Sequence, residues 1–424
     1  MTYRGYNMLD QTTKGLPYGS RLWRTEVASK HWNVLRGNLP FPLLVLKESA
    51  LEHNLRAMAE WCSSRGLLLA PHGKTTMCPQ IFERQLAHGA WAITVANVAQ
   101  AQVCLSFGIK RILIANQVSG AGNLRSLAAG MNDVPDAEFY CLVDSVPGVR
   151  HLAVELERSG ARRQLNVLVE WGRTGWRTGV RSDADGVQVF EEAKKFPRFL
   201  KVAGFEAFEG LASATEASDE AKEVDTLFDG LMTMSARLRS AWSGPDLPVL
   251  SIGGSAFLDR VLDLSQGEGA GYRIVLRSGC YVTHDHGTYR RKHEAALARG
   301  GRSNLPEFTP ALELWSYVQS MPDVGRAFLT FGKRDCAYDV DLPVPLFSLA
   351  EGADLGSARM IAGAQVDKLN DQHAYLSLSG DEKLSIGDLV CCGISHPCTA
   401  FDKWRVIPVV DDAYNILDLY ETFF

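Results

Sequence analysis

No apolar run in the chain approaches the ~18 residues needed to span a bilayer, and the N-terminal stretch MTYRGYNMLDQTTKG is polar, without the apolar core of a signal peptide. A membrane or secreted protein is therefore not expected. Basic residues are not in excess. Lys and Arg number 44 against 49 Asp and Glu, giving a formal net charge of −5, whereas a general nucleic-acid binder carries a basic surplus. A local basic pocket for one phosphate stays open. The nine cysteines are odd in number and scattered through 424 residues. That usage fits a reduced, cytoplasmic protein rather than a disulfide scaffold. Low-complexity segments and repeats are absent, and no G-x-G-x-x-G follows the first strand-like run. Disordered, fibrous and dinucleotide-binding classes lose support accordingly.

What is present is an ordinary globular composition, 46% apolar and 22% charged, in a chain long enough for two or three domains. Short β-type runs recur at 67–70, 92–96, 112–115, 139–143, 167–170, 202–205, 249–252 and 273–276. Helix-like stretches lie between them, among them 79–88, 149–158 and 217–241, where apolar residues recur at three- and four-residue spacing. Eight strands alternating with helices predict an α/β fold, a (β/α)8 TIM-like barrel. An open doubly wound sheet is the second choice. After about residue 295 the texture changes. A polar stretch with two prolines at 300–310 precedes short runs at 312–318, 327–330, 374–379, 388–392 and 404–410, which read as strands of a smaller, mostly β C-terminal domain. The expected division is an N-terminal segment, 1–40, packing with the β domain; a barrel domain, 41–295; and the β domain, 296–424. Ahead of the first barrel strand, 42–46 is strand-like and 48–65 helical, and with the first ~40 residues this segment is expected to pack with the β domain.

The chemistry-bearing residues fall just past the strand-like runs. Pro71-His72-Gly73-Lys74-Thr75 puts a lysine at the C-terminal end of the first barrel strand, where catalytic groups of such barrels gather. A partly desolvated lysine there can form a Schiff base with a carbonyl cofactor, although a lone loop lysine is ordinarily just solvated. Gly253-Gly254-Ser255 follows another strand and offers backbone N–H groups and a hydroxyl to an anion; a tight turn with a serine cap is the plainer explanation. Arg277-Ser278-Gly279-Cys280-Tyr281 brings a cation and a phenol after the last strand, or simply a surface turn. Three glycines and two arginines crowd Gly172–Gly179, unusual for a connector. In the β domain, His396 and Cys398 share one side of an extended segment. An imidazole and a thiolate so placed can hold one zinc ion with an open position; a buried, metal-free pair is the ordinary alternative. Cys391 and Cys392 alternate faces of the strand-like run 388–392 and read as core. Together a lysine, an anion cradle and Arg/Tyr groups at strand ends make the inventory for pyridoxal phosphate.

On these motifs the chain resembles the fold-type III pyridoxal-phosphate enzymes related to alanine racemase, and within them the D-serine dehydratase and D-threonine aldolase group. The resemblance covers roughly residues 40–424. It implies Lys74 as the Schiff-base residue, with His72 beside it. It places Arg177 near the cofactor, and Gly253, Gly254, Ser255, Gly279, Cys280 and Tyr281 in phosphate-binding turns. Arg277 sits where alanine racemases face the pyridine nitrogen, so Arg177 and Arg277 compete for that role. The two-residue zinc site matches His396 and Cys398; a His-x-Cys pair resembles the dehydratase branch, and the aldolase branch usually has His-x-Asp. Two departures stand out. Ala70 replaces the arginine that often precedes the lysine motif. Phe205-Glu206-Ala207-Phe208-Glu209-Gly210 lacks the Tyr or His often found after the sixth strand, leaving Glu206 and Glu209 as substitutes or salt-bridge partners.

The resemblance implies a zinc-dependent D-serine dehydratase. Lys74 would remove the Cα proton of a D-β-hydroxy amino acid, and zinc would make the β-hydroxyl a leaving group, yielding a 2-oxo acid and ammonia. It also implies a homodimer with its active site between barrel and β domain at the dimer interface, acting on small molecules only. The nearest alternative is a D-threonine aldolase that cleaves to glycine and acetaldehyde. An amino-acid racemase and a non-catalytic cofactor-binding protein are further ones.

Overall fold

The computed structural model describes residues 8–212, 217–239, 241–242, 246–301, 304–361, 363–380 and 383–424. Residue 240 of the expected helix 217–241 and residues 302–303 of the polar stretch 300–310 lie outside them.

All eight strand-like runs form strands of one parallel sheet. In chain order they are Leu68–Leu69, Ile93–Val95, Arg111–Gln117, Glu138–Val143, Leu165–Trp171, Leu200–Ala207, Val249–Ile252 and Arg273–Leu276. The last pairs with the first through Val275 and Leu68. Between first and second, the gap is bridged by His72 and Thr94, with Thr94 N–H donating to the Pro71 carbonyl at 2.9 Å. The sheet thus curls into a barrel, as predicted. Its strands are apolar on both faces because both are buried. Ala70, Ala92, Leu113, Ala115, Leu142, Leu168 and Val275 fill the interior, while alternate residues such as Ile112, Ile114 and Val167 pack beneath the helices. Helices begin where the sequence supplies caps. Asn97, Ser145 and Ser182 each accept an N–H from the first turn of Val98–Ser106, Val146–Arg158 and Asp183–Lys194.

The β domain is antiparallel. Leu312–Ser320 lies at its centre, paired with Leu389–Gly393 and Arg326–Leu329. Strand Leu43–Lys47, ahead of the barrel in the chain, also belongs to this sheet, antiparallel to Leu312–Ser320 and parallel to Val406–Val410. Residues before it run over the same domain. Arg24 forks onto Asp418 at 2.6 and 2.7 Å, Lys14 meets Asp335 at 2.6 Å, and Asn33 bridges Asn415. Besides the two-residue strands Leu9–Asp10, Arg21–Leu22 and Arg359–Met360, the strands Val344–Leu349, Gln365–Leu369 and Ile416–Glu421 were not anticipated. Each carries polar or proline interruptions that mask its period. Helix Thr288–Gly300 runs across the change of texture at 295. Among the described residues no helix is long and apolar enough to cross a membrane.

Candidate active site

The C-terminal ends of the barrel strands meet the β domain, and the predicted site residues gather there. After the first strand the chain makes a 3-10 turn, Gly73–Thr75. It is wedged so closely on Phe82 and Ile93 that a Cβ at Gly73 would stand 2.8 Å from the Phe82 ring. Lys74 is therefore carried on a rigid turn at the barrel mouth. The His72 Nδ1 atom is buried with no hydrogen-bond partner. Burial holds this imidazole well below its ordinary range, and the charges of Lys74, Arg277 and Arg177 push it further down. One neutral histidine is thus surrounded by three predicted site cations.

Arg277 is buried at the end of the last strand. Its Nη2 donates to Glu206 and, at 3.1 Å, to the Ala207 carbonyl, while its Nε is buried without a partner. Burial pushes Glu206 up to about 8, against the pull of Arg277. Arg177 lies with its guanidinium 4.1 Å from the Phe208 ring centre. Its Gly-rich segment is tight because Gly172 and Gly179 touch; a Cβ on Gly172 would stand 2.2 Å from the Thr178 carbonyl. Glu170 anchors that segment, accepting from Thr178 Oγ1 at 2.8 Å and from Gln117 Nε2 at 2.5 Å.

The turn expected to cradle a phosphate already binds an anion, and the anion belongs to the chain. Gly253 N–H donates to Glu209 Oε2 at 3.1 Å, and Gly254 N–H donates to Glu209 Oε1. A buried carboxylate needs such donors, which is why these two N–H groups turn to Glu209 instead of facing open space. Ser255 and Tyr281 line a cavity of about 10 Å³, with Ser278, His284, Tyr289, His293 and Phe308. Tyr281 Oη also accepts from Gln85 at 3.3 Å. Gly279 passes directly over the His72 carbonyl, which a Cβ would approach to 2.5 Å.

His396 and Cys398 arrive from the β domain. Cys398 Sγ lies 3.3 Å from Thr75 Oγ1 and 3.4 Å from Cys280 Sγ, so the residue next to Lys74 touches the expected metal ligand. His396 Nδ1 lies 2.8 Å from Asp339 Oδ2, and Thr399 Oγ1 donates to Asp339 Oδ1 at 2.6 Å. The Cys280 thiol and His396 hold the Cys398 thiol well below its usual range against burial, and a thiolate is the form that ligates metal. Burial opposes the proton on His396, but Cys398 and Asp339 outweigh it and raise the group to about 9. Among the described residues no three or more His, Cys, Asp or Glu side chains are grouped to hold an ion; the donor set is the pair.

Thr75, Glu170, Tyr289 and Asp339 were given no role from the sequence, and Glu209 only that of a substitute acid–base group or salt-bridge partner. Thr75 and Glu170 stood inside motifs already singled out, while Asp339 lies in a loop with no local signature. A hollow of about 850 Å³ lies at the opposite end of the barrel, beside Trp91, Arg111, Tyr140 and Arg273, and no predicted site residue lines it.

Two family models match the chain: alanine racemase, N-terminal domain, over residues 46–264, and the serine dehydratase domain, over residues 311–410. A D-threonine aldolase from Arthrobacter sp is 33% identical over 381 residues, covering 90% of this chain and 91% of the relative. The crystal structure of D-threonine aldolase from Filomicrobium marinum superposes with a TM-score of 0.75 at 23% identity, covering 91% and 95% of the two chains. A D-threo-3-hydroxyaspartate dehydratase, solved as a cysteine-to-alanine variant in metal-free form, gives a TM-score of 0.72 at 18% identity, covering 92% and 99%.

Proposed function

Since this chain belongs to the fold-type III pyridoxal-phosphate enzymes, joining an alanine racemase-type barrel to a serine dehydratase-type domain, we propose that it is a lyase that cleaves the Cα–Cβ bond of a D-β-hydroxy amino acid, in the manner of a D-threonine aldolase. The observation that carries the reading is the 33% identity to such an aldolase along nine-tenths of the chain. The dehydratase-type expectation from the sequence is supported less strongly.

The residues fit both implied groups. Buried atoms without partners, His72 Nδ1, Arg277 Nε and Glu206 Oε2, sit at the mouth that Lys74 overlooks. The Gly253–Gly254 turn accepts an anion, with Glu209 standing in for it. On the metal side, a thiolate and an imidazole tied through Nδ1 leave Sγ and Nε2 as donors, a set that suits zinc. Lys74 Nζ would hold the cofactor's carbonyl carbon, and Arg277, fixed by Glu206, would face its ring. When bound, pyridoxal phosphate supplies an electron sink for the pair left on Cα, and zinc a Lewis acid for the β-oxygen.

The chain's own residues supply the rest. Cleavage requires the β-hydroxyl to lose its proton. His72 Nδ1, neutral and bare, is the acceptor beside Lys74. Cys398 and His396 would hold the metal that takes the β-oxygen. Thr75 keeps Cys398 in register with Lys74, and the apposed β domain keeps bulk water from the mouth. We take the working form to be a homodimer, as the family resemblance implies.

A second reading is elimination of water from D-serine. It is favoured by the His-x-Cys pair. The neighbouring dehydratase has been solved with a histidine and with a cysteine replaced by alanine two positions apart, the spacing of His396 and Cys398. One assay separates the two. The protein loaded with pyridoxal phosphate and zinc is incubated with D-threonine and with D-serine. Glycine and acetaldehyde from D-threonine, lost on chelation and absent in Lys74→Ala, is the expected result. A 2-oxo acid and ammonia as the only products would replace the aldolase reading with the dehydratase one.

A further inference from the structure

Two protein ligands hold a metal less securely than three or four, so their orientation matters more. His396 can use Nε2 only if its other nitrogen carries the proton and the ring is kept from turning. Asp339 meets both needs. Its Oδ2 lies 2.8 Å from His396 Nδ1, and its Oδ1 takes the Thr399 hydroxyl at 2.6 Å. One carboxylate thereby clasps both ends of the turn that holds Cys398.

The loop bearing Asp339 is pinned on each side. Four residues before it, Asp335 is buried. It receives Gly332 N–H at 2.8 Å and Lys14 Nζ at 2.6 Å, and its carbonyl takes the Trp404 indole N–H at 2.8 Å. Two residues after it, the Asp341 carbonyl accepts from Ser395 Oγ at 2.6 Å, and its side chain accepts from Thr288 Oγ1 at 3.0 Å. Ser395 adjoins His396, so the loop and the ligand turn are locked together at three points. Stability does not explain this arrangement. The Asp339 side chain is 39% exposed, and an ion pair in that setting contributes little. A carboxylate on the remote nitrogen of a ligating histidine, however, fixes its tautomer and raises its basicity.

We propose that Asp339 is a positioning residue for the metal. It presents His396 Nε2 to the ion and sets the angle at which Cys398 completes the pair. The inference rests on the reading of His396 and Cys398 as the metal pair.

The test uses the full chain with pyridoxal phosphate bound and measures zinc affinity by competition with a chromophoric chelator. Asp339→Ala is expected to weaken zinc binding ten- to a hundredfold. Asp339→Asn, which keeps an oxygen acceptor for Nδ1–H, should recover most of that loss. The visible spectrum of the cobalt-substituted protein should change with Asp339→Ala, while the thermal midpoint of the zinc-free protein stays within about 1 °C of the parent. Zinc affinity within twofold of the parent in Asp339→Ala, with His396→Ala losing zinc, would overturn the role of Asp339 alone. Undiminished zinc binding in both His396→Ala and Cys398→Ala would remove the metal pair itself, and Asp339 with it.

Discussion

At the mouth of the barrel the charges are arranged around groups that cannot reach water. Arg277 and Glu206 are both almost fully buried, at 2% and 0% side-chain exposure. With Glu206 raised to about 8, losing Arg277 leaves a buried, largely protonated carboxyl without its partner, at a cost of about 1–3 kcal/mol. Arg277→Met should therefore lower the stability of the cofactor-free protein by that amount in urea unfolding. Arg277→Met combined with Glu206→Leu should recover a large part of it. If the single variant is as stable as the parent, the pair is not what holds the two strand ends together. This pairing was only half legible. Both residues stood out in the sequence, Arg277 beside its glycine and Glu206 where an aromatic was expected. Their contact links strands 71 residues apart and leaves no trace in local spacing. Asp339 was illegible for the same reason, lying 57 residues from His396 in a loop of ordinary composition.

Among elements, the barrel strands announced themselves because each is apolar on two faces, a pattern that survives even where the first shrinks to Leu68–Leu69. The β domain was harder to read. Its outer strands are half exposed, and in Gln365–Leu369 the alternation breaks at Asp367–Lys368, where the pairing shifts register. A barrel strand departs from regular geometry at Gly204, with φ at +156° and the Val249 carbonyl only 2.0 Å from where a Cβ would stand. The neighbouring register shifts there, between Val167 and Leu168, as at a bulge. Gly204→Ala must push the sixth and seventh strands apart. It should cost about 3 kcal/mol or more, read as a lowered thermal midpoint in circular dichroism. An unchanged midpoint would mean that the bulge relaxes freely.

Over the whole molecule, acid sensitivity should centre on the chain that joins barrel to β domain. Burial lowers His284 to about 3 and His286 to about 4. The unfolded chain binds those protons near pH 6.5, so between pH 6.5 and about 4 it holds more protons than the folded one. Stability is then full above pH 6.5 and falls as pH drops toward 4. Asp285, raised to about 6 by burial, acts in the opposite sense and offsets one of the two histidines. The parent should melt at a lower temperature at pH 4.5 than at pH 7, and His284→Leu should narrow that difference. An equal drop in both proteins would place the acid sensitivity elsewhere.

Strand Leu43–Lys47 has a further consequence, for the order in which the protein is made. Its four leading residues, Leu43, Leu44, Val45 and Leu46, are wholly buried in the finished sheet, yet the partner strand Leu312–Ser320 leaves the ribosome about 265 residues later, at 5–20 residues per second a delay of roughly 13–50 s. The barrel is completed in that interval, while a sticky, unpaired segment waits at its N-terminal side for the far end of the chain to be synthesised. Nascent copies on neighbouring ribosomes expose the same segment at the same time, which makes the unfinished chain more prone to aggregate than the finished one.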